Sequence, residues 1–122
     1  MRRRLANRHA DGNDAAQRLL TAWQARDAAA LAAALHRRVS LTAEGVEALV
    51  DPVRGAAAVA ATLLHLDAGP GRLTLTEATG MPAILLRTAE GRVRAVVVVE
   101  SRRHLVIRLW AVFNPAKLTT WT

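Results

Sequence analysis

Between Ala83 and Phe113 three apolar stretches follow one another across turns of only a few residues. Ala83 to Thr88 is a continuous apolar run, Glu90-Gly91 a turn, and Arg92 to Glu100 the return. Ser101-Arg102-Arg103 is a second turn, and His104 to Phe113 a further strand, broken by Asn114-Pro115. Strands joined so tightly must pair antiparallel, because a parallel pair needs a long crossover. Leu73 to Thr79, where Leu and Thr alternate, adds a fourth strand with one apolar side.

Upstream the period is helical. Asp14 reads as an N-cap with Gln17 three residues on, and Ala15, Leu19 and Trp23 recur at helical spacing beside Ala16 and Leu20. Asp27 caps a second helix over Ala28 to Leu35, with His36-Arg37-Arg38 in its last turn, where positive charge suits the dipole. Val39 to Ala43 alternates like a strand, Glu44-Gly45 turns, and Val46 to Val50 returns until Asp51-Pro52. Gly55 opens a third helix with Val59, Ala60, Leu63 and Leu64 on one side, and Gly69-Pro70-Gly71 stops it. The expectation is an α+β fold: three helices packed on one face of a curved antiparallel sheet of about six strands, forming a cone with an apolar mouth.

At 122 residues the chain is expected to be one domain over 13–118, with a flexible segment at 1–12 and a tail at 119–122. Hydrophobic residues make up 52% of it, which excludes disorder as the ground state. The absence of cysteine excludes disulfides and thiolate metal sites and fits a reducing, cytoplasmic setting. No apolar run approaches the ~18 residues of a membrane span. The net charge of +7 raises the question of nucleic acid. Apart from Arg2 to Arg4, Arg37-Arg38 and Arg102-Arg103, the arginines are scattered, and no aromatic residues interleave them, so a nucleic-acid partner is not expected.

Candidate site residues are few. Glu44, Asp51 and His36 are the weak candidates for a catalytic acid or base; each reads equally as a turn or helix-end residue. Trp23, His36, Arg108 and Trp110 are the candidates for a ligand pocket, with Arg108 placed to meet an anionic ligand or to face solvent. Arg108 and Trp110 share a strand parity with Val106 and Val112. No His pair has ligand spacing, so no metal site and no cofactor is expected. Ala95 to Val99 is apolar on both faces. With helices on one side only, the other face needs a cover, most simply a second subunit in a homodimer.

The element order, with Pro52-Val53-Arg54-Gly55 leading into the third helix, resembles the SnoaL-like branch of the nuclear-transport-factor-2-like superfamily, which has a cystatin-like cone fold. More narrowly it resembles the SnoaL-like domain at the C-terminus of extracytoplasmic-function sigma factors, on the Glu90-Gly91-Arg92-Val93 turn and on Asn114-Pro115-Ala116-Lys117-Leu118. The family motif has Asp where this chain has Ala116, and the family's glycine-rich loop is reduced to Thr42-Ala43-Glu44-Gly45-Val46. The resemblance implies a non-enzymatic ligand-binding or regulatory module related to sigma-factor control of transcription. Asn114, Pro115, Lys117 and Leu118 would then lie near the cavity, which would take a small apolar or anionic ligand or serve a protein partner. The superfamily also contains isomerases, cyclases and hydrolases, so a small enzyme acting on an apolar molecule in the cone is the alternative.

Overall fold

The computed structural model describes residues 2–44, 51–66 and 71–113, with side-chain burial from Asn13 onward. Helix α1 runs Arg2–Gln24. It begins well before Asp14, which lies inside the helix and caps nothing. Residues 2–24 contain no proline, and the one glycine, Gly12, costs a helix only about 1 kcal/mol. From Asn13 the expected faces hold: Ala15, Ala16, Leu19, Leu20 and Trp23 are buried, while Gln17, Arg18, Thr21 and Gln24 face water. Arg26, with φ of 52°, reverses the chain after the helix.

Helix α2 spans Ala28–Ala34, and the Asp27 carboxylate accepts from the Ala30 N–H at 3.0 Å as its N-cap. The helix stops earlier than the sequence suggests. Leu35 is already extended, and strand β1 takes Leu35–Glu44, so His36, Arg37 and Arg38 are strand residues and not a helical last turn. Pairing with a neighbouring strand overrides the helix propensity of the alanine run here.

The returning strand expected over Val46 to Val50 falls outside the described residues. The strand that does pair with β1 comes after Pro52: β2, Val53–Arg54, sits antiparallel opposite Leu41 and Ser40. Gly55 follows with φ of 93°; its N–H donates to the Val39 carbonyl and its carbonyl accepts from Val59, which opens helix α3, Ala56–Leu66. Strands β3 (Gly71–Ala78), β4 (Met81–Thr88), β5 (Val93–Arg102) and β6 (Leu105–Val112) complete the chain.

These form one six-stranded sheet in the order β2-β1-β6-β5-β4-β3. The architecture is the expected α+β one, with one correction: β1 runs parallel to β6, so the sheet is mixed and not antiparallel throughout. Only pairs joined by tight turns are obliged to be antiparallel; β1 and β6 are separated by most of the chain and carry no such constraint. Register shifts on β1, at Arg94 of β5 and at Ile107 of β6 act as bulges, which bend the strands.

All three helices contribute to one core against one face of the sheet, where Val39, Leu41, Ile84, Leu86, Val97 and Leu109 point. On the other face Ala83, Leu85, Val93 and Val96 form a second buried cluster. Val96 is 3% exposed within a single chain, so this part of the outer face needs no second subunit to cover it. Among the described residues no helix is long and apolar enough to cross a membrane.

Two substitutions test this reading by urea unfolding. Asp27→Ala should cost about 1 kcal/mol through the lost cap. Gly55→Ala should cost about 1–2 kcal/mol, because a Cβ is strained at that φ although nothing stands within 4 Å of it. Unchanged stability in both would contradict the described geometry.

Candidate functional site

Trp23 sits at the centre of the helix-covered core. It is fully buried with Leu19, Leu31, Leu63, Val97 and Leu109, which places it where α1 crosses the inner face of the sheet. Its indole Nε1–H is buried and has no hydrogen-bond partner among the described residues. A donor left so costs about 1–3 kcal/mol, so native structures rarely keep one without a reason. Around it the chemistry is wholly apolar: among the described residues no polar or charged side chain is buried.

The other pocket candidates do not join Trp23. Leu109 and Ala111 face the core, while Arg108, Trp110 and Val112 alternate onto the outer face. Trp110 is 50% exposed, opposite Thr42 on one side and Val98 on the other. Arg108 Nε lies 3.5 Å from Glu100 Oε2 in a solvent-exposed ion pair worth little to stability. The bulge at Ile107 breaks the parity read from the sequence: Val106 pairs with Ser101 and is buried in the core, apart from Arg108 and Trp110.

The acid–base candidates are scattered too. Glu44, half-buried, ends β1 opposite Val112 on the outer face, and its carbonyl accepts from Phe113 N–H. Asp51 is exposed just before β2. His36 is half-buried at the other end of the ten-residue β1, its Nδ1 accepting from the Arg38 N–H at 2.9 Å. The structure therefore separates His36 from both carboxylates. Among the described residues no cluster of His, Asp and Glu could hold a metal ion. Asn114, Pro115, Lys117 and Leu118 lie outside the described residues.

Three clefts bounded by described residues lie away from the core, one of them, of about 400 Å³, between Asp14, Gln17 and Arg18 of α1 and His104. A second, of about 480 Å³, is an alanine-rich groove between α1 and α2, edged by Arg18 and Asp27. Another, of about 300 Å³, is basic and is formed by His36, Arg102, Arg103 and Leu105. The sequence displays the Arg102-Arg103 pair and the basic run His36-Arg37-Arg38, expected at a helix end, but not that His36 and the pair meet; their meeting depends on the parallel β1–β6 pairing.

The sequence matches no protein-family model and no curated protein. Solved structures do match. The Mycobacterium tuberculosis extracytoplasmic function sigma factor SigJ superposes with a TM-score of 0.67 and 25% identity, over 89% of this chain and 44% of that one. An NTF2-like protein of Mesorhizobium loti gives 0.65 and 16%, over 88% and 93%. An epoxide hydrolase of the LEH-like kind from M. tuberculosis gives 0.62 and 16%, over 91% and 88%. The chain has the nuclear-transport-factor-2-like fold of SnoaL-like proteins. It spans less than half the length of the sigma factor. In this fold the helix layer and the inner sheet face enclose Trp23, while Trp110 lies on the outer face.

Replacing Trp23 separates packing from its polar atom. Trp23→Ala should cost about 3–5 kcal/mol in thermal or urea unfolding. Trp23→Phe, which removes the orphan donor along with some volume, should lose well under half of that. Equal losses would mean that the indole N–H is satisfied in the native protein.

Proposed function

We propose that this chain is a non-enzymatic binding or regulatory module of the cytoplasm, which takes a small apolar molecule bearing a hydrogen-bond acceptor into its NTF2-like core. The observation that carries the reading is the Trp23 indole N–H, buried without an acceptor among apolar side chains. A carbonyl or hydroxyl oxygen on a ligand would supply the missing partner, and the aliphatic surroundings would hold its body. General acid–base chemistry needs a titratable group within hydrogen-bond reach of substrate, and the described core offers none. The likeness to SigJ supports a regulatory role next to a sigma factor, with the ligand-bound domain acting on a protein partner.

The reading includes a homodimer through the outer sheet face. The half-exposed Trp110, beside the half-buried Val98 and Val112, forms an apolar strip next to the cluster that the chain already covers. Aromatic residues of this kind anchor interfaces. In sedimentation velocity the parent should run as a dimer and Trp110→Glu as a monomer; a monomeric parent at micromolar concentration would remove the dimer from the proposal.

A thermal-shift screen with a panel of apolar ketones and phenols tests the ligand reading. Binders should stabilise the parent, and in Trp23→Phe their affinity should fall about 2- to 10-fold, the worth of one hydrogen bond. Full retention of affinity in Trp23→Phe, or failure of the whole panel, would contradict it. Turnover of any binder, lost in Glu44→Gln, Asp51→Asn or His36→Gln, would establish the alternative: a small isomerase, cyclase or hydrolase.

A further inference from the structure

Most arginines whose side chains are held have ordinary acceptors. Arg18 donates to the His104 carbonyl, Arg26 to Leu64, Arg87 to Gly91 and Arg94 to Leu66, and Arg108 pairs with Glu100. Like Arg54, Arg72 and Arg92 elsewhere on the sheet, Arg37, Arg38, Arg102 and Arg103 have no hydrogen-bond or ion-pair partner for their guanidinium groups among the described residues. These four gather at one corner of the sheet. Leu35 stands beside Val106, so the first residues of β1 adjoin the turn that joins β5 to β6.

The basic cleft of about 300 Å³ lies at this corner. Arg102, Arg103 and His36 supply its polar lining, and none of the described residues bounding it carries a carboxylate. His36 Nδ1 accepts the Arg38 N–H, so in the neutral imidazole the proton sits on Nε2, which is left as a donor. Among the described residues the lining side chains thus offer two guanidinium forks and an imidazole N–H.

The turn that presents the arginines is built against local preference. Arg103 has φ of 52° and His104 φ of 73°, both left-handed. A two-residue hairpin of this form favours Asn-Gly, because a residue with a Cβ is strained at left-handed φ. The β3–β4 turn has the same pattern at Thr79 and Gly80, but with glycine in second place. At the β5–β6 turn the strain is retained, and Arg18 reaches across from α1 to hold the His104 carbonyl. Strain that neighbouring contacts hold in place is a feature of functional loops.

We propose that the cleft formed by His36, Arg102 and Arg103 binds the phosphoryl group of a small soluble molecule. Planar guanidinium forks match the paired oxygens of phosphate in a bidentate way that an ammonium group cannot. Arg37 and Arg38, exposed at the adjoining start of β1, add to the field that draws an anion in. This site is separate from the Trp23 core and stands or falls without it.

Isothermal titration with inorganic pyrophosphate at physiological ionic strength tests the proposal. One pyrophosphate should bind per chain, and Arg102→Ala with Arg103→Ala should weaken it about tenfold or more. Arg72→Ala with Arg92→Ala removes the same charge from exposed positions far along the sheet and should leave affinity within about twofold. Arg102→Lys with Arg103→Lys keeps the charge, loses the forks, and should fall between the two. Arg103→Asn with His104→Gly suits the turn, so it should fold at least as stably as the parent and still lose binding. No heat of binding at millimolar pyrophosphate would overturn the proposal. So would equal losses in the two double-alanine variants, which would mean that net charge alone attracts the anion.

Discussion

The parallel pairing of β1 with β6, from Leu35 beside Val106 to Glu44 beside Val112, joins the two halves of this molecule. One half is the helical start of the chain with β1 and β2; the other is the antiparallel run β3 to β6. Without that pairing β6 would be an open edge, and α2 and α3, which pack on the β1 side, would have no sheet beneath them. It also decides which face each residue of β1 presents. Val39 and Leu41 enter the core, Thr42 and Glu44 lie across from Trp110 and Val112, and His36 reaches the β5–β6 turn.

What could be read from the sequence follows the range of the interactions involved. The α1 stripe of Ala15, Leu19 and Trp23, the Asp27 cap, the Gly55 start of α3 and the β3–β6 hairpins rest on spacing and turn chemistry within a few residues, and all are present. The features that depend on distant neighbours were not readable. The early end of α2 comes from Leu35 joining β6. The bulge at Ile107 moves Val106 to the core and leaves Arg108 and Trp110 outside; strict alternation cannot foresee a bulge.

The site is legible to a different degree. Burial of Trp23 follows from its place on the apolar stripe of α1, but that its N–H lacks an acceptor depends on every side chain around it. Charge shows the same division. The sequence displays an excess of arginine without telling which are held. In the fold, carbonyl groups at element ends take Arg18, Arg26, Arg87 and Arg94, while Arg102 and Arg103 meet His36 at the corner where β1 meets β6. Apolar core and basic corner thus lie apart on one NTF2-like frame.

The state of the Trp23 indole decides the account most directly. Nitrogen-15-edited NMR of the ligand-free protein, with the Trp23 indole assigned by its loss in Trp23→Phe, reads that group alone. The account requires its proton to resonate upfield of hydrogen-bonded indoles, to exchange slowly with solvent because it is buried, and to move downfield when an acceptor-bearing apolar ligand is added. A resonance already at the hydrogen-bonded position, and unmoved by every ligand that stabilises the protein, would contradict it.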